Sequence, residues 1–289
     1  MKADLAYVRP ENLEVALGFL CEHGADTTVI AGGTDVMIDL RSGALQTKYL
    51  LDITPLSELK GITIEGDVLR VGAGVTISEI FISDILARFA PALQKASFTF
   101  ASKQVRNVAT IGGNVAHCSP CGDTVPPLII HEAKVVLRSA KGERTIPIEA
   151  LPTGPYVGSI SPDEIITHFV LKPKEGVFAD FQKIGRRQKL AIARISLAVM
   201  AEKDTAGKIA FARLALGSST PTPRRIDEVE EFLLGKKPSE AVFWEAGKLL
   251  ASKMIEISGR RPSTVYKENA VQGLLVRVLY PMVENGKTV

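Results

Sequence analysis

Residues 29–36 read Val29-Ile30-Ala31-Gly32-Gly33-Thr34-Asp35-Val36, a short apolar run that ends in two glycines and two small polar residues. This pattern predicts a strand that turns directly into a helix. Glycine lacks a Cβ atom, so its backbone reaches positive φ and lets main-chain N–H groups approach a ligand closely. The unpaired amides at a helix start attract anions. The segment therefore predicts an anion-binding turn.

A second segment repeats this pattern about eighty residues later, at Ala109-Thr-Ile-Gly-Gly-Asn-Val-Ala116. Neither segment contains Gly-x-Gly-x-x-Gly or Gly-x-x-x-x-Gly-Lys-Ser/Thr, which excludes the Rossmann and P-loop fingerprints. A single Gly-Gly pair is most often only a tight turn. Two pairs in matched settings favour a diphosphate held between them.

Composition limits the function classes. The chain has 289 residues, of which 46% are hydrophobic and 23% charged, enough for two domains with separate cores. The net charge of +3 comes without a basic patch, so we expect no nucleic-acid partner. The sequence contains no signal peptide and no long apolar run, which predicts a cytoplasmic protein without membrane attachment.

The first part of the chain alternates helix and strand signals. Asn12 is typical of a helix cap, and the helix that it starts places one apolar face and Cys21 in the core. A strand follows at 27–31 and a short helix at Val36–Leu40. Thr76-Ile-Ser-Glu79 has capping-box spacing and predicts a helical stretch towards Pro91. Hairpins are predicted at 62–71 and 135–147.

The last third has strands first and helices afterwards. Strands are predicted at 178–184, 195–203 and 209–216, and helices at 226–234, 240–257 and 263–283. This order favours an α+β fold with a three-stranded antiparallel sheet plus helices. A turn-rich segment near Lys172-Pro-Lys-Glu-Gly176 predicts the domain boundary, which gives domains 1–174 and 175–289.

Five motifs together resemble the FAD-binding (medium) subunit of the molybdenum hydroxylases, the family of xanthine dehydrogenase and carbon monoxide dehydrogenase. They are Ala31-Gly-Gly-Thr-Asp35, Arg106-Asn-Val-Ala-Thr-Ile-Gly-Gly-Asn114, Asp123-x-x-Pro126, Asp163-Glu-Ile-Ile166 and Phe181-Gln-Lys-Ile-Gly-Arg186. The resemblance spans almost the whole chain. It implies a two-lobed FAD-binding domain of the vanillyl-alcohol-oxidase/PCMH type, with lobes of about 1–56 and 57–174, and a smaller C-terminal domain at 175–289.

The resemblance also implies FAD as cofactor and a set of residues that contact it. On one side of the diphosphate it places Ile30, Ala31, Gly32, Gly33, Thr34 and Asp35, and on the other Thr110, Ile111, Gly112, Gly113 and Asn114. It places Asp123 near the ADP portion, Ile166 in packing contact and Lys183 in polar contact. Carboxylates repel phosphate, so we interpret Asp35 and Asp123 as helix caps or hydroxyl acceptors. The alternative for Lys183 is a solvated strand lysine.

The segment His117-Cys118-Ser-Pro-Cys121 contains a Cys-x-x-Cys pair, which is typical of redox centres and of half a zinc site. A tetrahedral zinc site needs four ligands, and the chain has three cysteines in all. We therefore predict no metal site, and the role of Cys118 and Cys121 stays open.

The resemblance implies a function in electron transfer. A molybdopterin-binding large subunit oxidises the substrate, a small [2Fe–2S] subunit passes the electrons on, and FAD delivers them to NAD⁺ or another acceptor. The expected complex is a heterotrimer, paired into a dimer of trimers. No catalytic side chain is predicted here, because the cofactor carries the chemistry.

The sequence leaves three points open. Some family members carry an aspartate shortly after the position of Arg186, whereas this chain continues Gln188-Lys-Leu-Ala-Ile192, so the acceptor is undetermined. A self-sufficient FAD-dependent oxidase or dehydrogenase is one alternative function. A non-catalytic binding or scaffold protein with the same fold is the other.

Overall fold

The computed structural model describes residues 5–187 and 190–283, and their contacts divide into two compact units. Unit 1 comprises the described residues of Met1–Ile82, Ser102–Cys118 and Glu132–Pro173. Unit 2 comprises those of Ser83–Ala101, Ser119–His131 and Lys174–Val289. The predicted domain bounds at 174 and 175 stay a prediction, and each unit is described by itself below.

The elements follow in chain order. The strands are β1 (Ala6–Val8), β2 (Thr27–Ile30), β3 (Tyr49–Asp52), β4 (Ile62–Glu65), β5 (Val68–Gly72), β6 (Lys134–Ser139), β7 (Gly142–Pro147), β8 (Pro152–Gly154), β9 (Val157–Gly158), β10 (Ile165–Leu171), β11 (Phe178–Gly185), β12 (Ala193–Lys203), β13 (Ile209–Gly217) and β14 (Arg224–Arg225). The helices are α1 (Leu13–His23), α2 (Val36–Ser42), α3 (Ile77–Ile82), α4 (Asp84–Phe89), α5 (Pro91–Phe98), α6 (Lys103–Arg106), α7 (Ile111–Ala116), α8 (Val125–Ile130), α9 (Asp227–Leu233), α10 (Glu240–Ser258) and α11 (Thr264–Leu279).

Unit 1 is built on two sheets. The first is parallel, in the order β1-β3-β2, and carries the predicted strand before Gly32. The second is antiparallel, in the order β4-β5-β10-β6-β7, and contains both predicted hairpins. Strand β10 joins the two hairpins, since it pairs with β5 on one side and with β6 on the other.

Helix α1 confirms most of its prediction. The Asn12 side chain accepts a hydrogen bond from the Val15 amide, and the buried face consists of Leu13, Ala16, Leu17 and Leu20. The prediction for Cys21 was wrong, because this residue is exposed. Cys21 lies about 100° around the helix from Leu20, beyond the edge of the apolar stripe.

The predicted helical stretch between Thr76 and Pro91 is not continuous. Its start is confirmed as a capping box, in which Glu79 accepts from the Thr76 amide at 2.6 Å. The stretch then breaks at Ser83, whose hydroxyl accepts from the Leu86 amide and caps α4. Serine bonds readily to nearby backbone amides, and this starts a new helix instead of prolonging α3.

Unit 2 contains an antiparallel sheet in the order β11-β12-β13-β14. Its first three strands confirm the predicted ones, whereas the prediction of a three-stranded sheet was wrong by one strand. Strand β14 has only two residues, too few to show an alternating pattern. One face of β12 and β13 packs against α9, α10 and α11 around Phe243 and Leu250, which are fully buried.

The arrangement of sheets and helices in both units confirms the predicted α+β class. Over 5–187 and 190–283, none of the helices combines the length and the apolar character needed to cross a bilayer.

We expect Glu230→Ala to lower the free energy of unfolding by about 3 kcal/mol. The Glu230 carboxylate is buried, accepts from the Leu214 amide at 2.8 Å and binds the Arg225 guanidinium at 3.0 Å. Truncation to alanine therefore removes this acceptor from both donors. Urea denaturation measures the effect. Glu228→Ala is the matched control, because this exposed residue binds Lys253 in water and should change stability little. Equal effects of the two variants would contradict a stabilising role of the buried Glu230 carboxylate.

Candidate functional site

The turn between β2 and α2 presents unpaired backbone donors. Gly33, which follows β2, has a φ of +67°, in the left-handed region that favours glycine. In the described part of the chain, the N–H groups of residues 32–35 make no hydrogen bond with a protein acceptor. None of these residues is buried. Four consecutive free amides around a left-handed residue form a concave donor set that suits an anion.

Gly32 makes a backbone contact that leaves no room for a side chain. A Cβ atom at this position would lie 2.0 Å from the carbonyl oxygen of Val108 and 2.9 Å from the Ala109 Cα. The first glycine turn therefore lies directly against the chain that leads into Thr110. The two segments that the sequence singles out are neighbours within unit 1.

The second glycine pair differs from the expectation of free amides. The Ile111 amide donates to Val75, the Gly112 amide to Ala73 and the Gly113 amide to the Thr110 hydroxyl, with distances of 2.9, 2.8 and 3.0 Å. The interpretation of this turn as a second amide donor set was wrong. These three amides are already paired, so they offer an anion no free donor.

The glycine at position 112 has a packing role instead. A Cβ atom there would lie 2.7 Å from both the Cβ and the carbonyl oxygen of Ala73. This contact fixes α7 against the end of β5. Gly113, in contrast, is exposed and Asn114 is partly exposed, so this edge of α7, formed by Gly113 and Asn114, faces solvent.

Asp35 is not a side-chain cap, which corrects that expectation. It occupies the N-cap position of α2, but its carboxylate makes no capping hydrogen bond. Its Oδ1 atom lies 3.9 Å from the Nε2 atom of His117. His117 follows α7, and the sequence analysis did not predict it as a site residue. His117 follows Gly113 by four residues, about one helical turn, and this spacing is the sequence feature that could have placed it beside the glycine pair.

Ile166 lies in β10, next to a register shift between Ile166 and His168. Its backbone pairs with Leu137, and the residue is 6% exposed. The structure thus places Ile166 in the interior of unit 1. Its predicted packing against the cofactor stays a prediction.

Asp123 and Lys183 form an ion pair within unit 2, and both side chains are 8% exposed. Lys183 in β11 is therefore not the solvated strand lysine that the sequence left as an alternative. Asp123 is not a helix cap either. Burial raises the pKa of the Asp123 carboxyl, and the positive charge of Lys183 opposes that rise. Their predicted contacts with FAD stay predictions.

The Asp123–Lys183 pair lies next to further buried polar atoms. Lys183 is opposite Ser196 in the sheet, and Ser196 is opposite Gly217. The Asp123 Oδ1 and Ser196 Oγ atoms are buried without a hydrogen-bond partner. A Cβ atom on Gly217 would lie 2.4 Å from that Oγ atom, so Ser196 and Gly217 are closely packed.

The two cysteines of the Cys-x-x-Cys segment differ in burial. Cys118 is buried, and burial raises the pKa of its thiol to about 11. The thiol is therefore protonated near neutral pH, which disfavours metal binding and nucleophilic chemistry. In the described ranges, no group of three His, Cys, Asp or Glu side chains is arranged to hold a metal ion. Gln188 and Lys189, where the motif departs from the family, lie outside the described residues.

Comparison with protein families assigns nearly the whole chain. Residues 3–173 match the FAD binding domain in molybdopterin dehydrogenase, and residues 180–282 match the CO dehydrogenase flavoprotein C-terminal domain.

Individual relatives agree with this assignment. The xanthine dehydrogenase FAD-binding subunit of Escherichia coli O157:H7 is 35% identical over 229 residues, which is 78% of each chain. The nicotinate dehydrogenase FAD-subunit of Eubacterium barkeri is 28% identical over 286 residues, 97% of each. A chain of the carbon monoxide dehydrogenase structure from Hydrogenophaga pseudoflava superposes with a TM-score of 0.89 at 26% identity, covering 98% of this chain and 100% of that one.

We expect Gly32→Ala to lower the free energy of unfolding by about 3 kcal/mol, because the added methyl group collides with the Val108 carbonyl. Urea denaturation again measures this. Gly18→Ala is the matched control, since Gly18 lies within α1 and has nothing within 4 Å of its Cβ position. The free energy of unfolding of this control should rise by about 0.5–1 kcal/mol. A Gly32→Ala variant as stable as the wild type would disprove the close contact.

Lys183→Met should lower the free energy of unfolding by about 3–5 kcal/mol, because Asp123 then stays buried without its counter-charge. Without Lys183 the pKa of Asp123 rises further above its unfolded value. A carboxyl whose pKa is raised in the folded state makes the folded protein less stable as pH rises. The loss of stability should therefore be greater at about pH 8.5 than at about pH 5.5. Denaturation at both pH values measures this. The double variant Asp123→Asn/Lys183→Met should recover part of the loss, and a pH-independent loss without recovery would contradict the assignment.

Proposed function

Because the chain belongs to the FAD-binding medium subunits of the xanthine dehydrogenase and CO dehydrogenase family, we propose that it passes electrons from a [2Fe–2S] subunit through FAD to NAD⁺ or another acceptor. Membership confirms the resemblance that the motifs indicated. The chain is an oxidoreductase subunit, and FAD is its cofactor.

The observation that carries the proposal is the set of four free amides at residues 32–35. A dinucleotide diphosphate has two negative charges, and unpaired main-chain donors bind such a group without the desolvation of a buried side-chain cation. The donor set therefore fits FAD. We assign the diphosphate contact to Gly32, Gly33, Thr34 and Asp35, with Ile30 and Ala31 leading into it.

The second segment contributes differently in this proposal. Ile111 and Gly112 support the site through backbone packing and are buried. Thr110 and Asn114 are assigned polar side-chain contacts, and Gly113 leaves space beside them. Asp123, Ile166 and Lys183 remain the predicted contacts of the rest of the cofactor.

FAD supplies the redox chemistry when it is bound, and the protein supplies position and electrostatics. The amide turn holds the diphosphate, the Gly32 contact keeps that turn rigid, and the Asp123–Lys183 pair holds a buried charge in a fixed place. None of these roles requires a side chain of this subunit to act as acid or base on a substrate.

The proposed complex contains a molybdopterin-binding large subunit and a small [2Fe–2S] subunit beside this chain. Several relatives support this through their names, since they are called FAD-binding subunits or medium chains of dehydrogenases. We propose a heterotrimer, paired into a dimer of trimers, in the cytoplasm. The substrate of the complex is set by the molybdenum subunit.

Purification from native cells followed by anaerobic reduction tests the proposal. The chain should co-purify with the two partner subunits and contain about one FAD per chain. Xanthine, nicotinate or another substrate of the complex should bleach the flavin only when the partners are present, and added NAD⁺ should restore its absorbance if NAD⁺ is the acceptor.

Other outcomes identify the alternatives. Flavin reduction by substrate in the isolated chain would favour a self-sufficient oxidase or dehydrogenase. A flavin-free protein that takes up no FAD on titration would favour a scaffold. Either result would overturn the proposed electron path.

A further inference from the structure

The outward edge of α7 places one side chain beside the first glycine turn. Gly113 is exposed and His117 partly exposed, whereas Ile111, Gly112 and Val115 are buried. The His117 amide donates to the Gly113 carbonyl at 3.1 Å, so His117 follows Gly113 by one helical turn on the same face. Since Gly113 has no side chain, it covers none of the space one turn before the imidazole.

The imidazole of His117 has unused hydrogen-bonding capacity. Its Nε2 atom lies 3.9 Å from Asp35 Oδ1, which is too long for a hydrogen bond. Over the described residues, its ring nitrogens have no hydrogen-bond partner in the protein. The side chain is 32% exposed, so a ligand can reach it. The contact with Asp35 nevertheless places the ring next to the last residue of the free-amide turn.

Tyr156 limits the orientation of that ring. Its aromatic ring meets the imidazole edge-on, with centroids 5.2 Å apart and an interplanar angle of 69°. The Tyr156 amide donates to the Cys118 carbonyl at 2.9 Å, which ties the β8–β9 hairpin to the residue after His117. Tyr156 has a φ of +61°, a costly conformation for a tyrosine. Asp35 and Tyr156 are thus both neighbours of the imidazole.

We infer that His117 donates a ring N–H hydrogen bond to the diphosphate of the dinucleotide held at Gly32–Asp35. The inference rests on the proposed function, because it needs a dinucleotide at that turn. The amides of Ile111, Gly112 and Gly113 are paired within the protein, so these three residues of α7 offer the anion no free main-chain donor. A ring N–H donor supplies this second contact, and hydrogen bonds to charged acceptors are the strong ones.

Calorimetric titration of the full-length apoprotein with FAD, ADP and riboflavin tests the inference. His117→Phe keeps an aromatic ring against Tyr156 but has no donor, and His117→Gln keeps an N–H donor. His117→Phe should weaken FAD and ADP binding about tenfold and leave riboflavin, which has no phosphate, unchanged. His117→Gln should stay within about threefold of the wild type for all three ligands.

His23→Gln is the matched control, since it changes another partly exposed histidine of unit 1 and should leave all affinities unchanged. Thermal unfolding of each variant checks that the fold is intact. Wild-type affinity for FAD in His117→Phe would overturn the inference and leave the proposed function standing, as would an equal loss for riboflavin. A wild-type protein that binds neither FAD nor ADP would overturn the proposed function itself. If His117→Phe fails to fold, His117→Leu replaces it as the variant without a donor, and the same losses and the same contradicting outcomes apply to it.

Discussion

A single backbone contact governs the arrangement of unit 1. Gly32 lies against the Val108 carbonyl so closely that no Cβ atom fits between them. This contact brings a turn after one sheet against the segment that enters α7. The packing of Gly112 on Ala73 continues it to the end of β5. Among the residues that the structure describes, the amides of residues 32–35 beside this contact have no protein acceptor.

Local patterns in the sequence predict the elements well, and long-range partners account for the differences. The strand before Gly32, the cap at Asn12 and both hairpins follow from residue spacing alone. The amides of Ile111 and Gly112 could not be assigned in this way. Their acceptors, Val75 and Ala73, lie far away in sequence, and only the folded chain brings them within reach.

The same limit applies to charged residues. Motif similarity singled out Asp123 and Lys183, but it did not predict their ion pair, which joins residues 60 positions apart. The pairing rests on the adjacency of β11 to the segment before α8. Taking two charges out of water is costly, and the arrangement persists because each charge has its partner. Asp123 Oδ1 stays without a hydrogen-bond partner, so the pair is incompletely satisfied.

The unpaired amides of residues 32–35 have a consequence for the free protein. Polar groups that lack a protein partner and are open to solvent are hydrated, so water solvates these amides before any ligand binds. Binding exchanges those waters for an anion and depends on the difference between the two states of solvation. Sulfate or inorganic phosphate in a buffer competes for the same donors. The apparent affinity for a dinucleotide therefore depends on the salt in which it is measured.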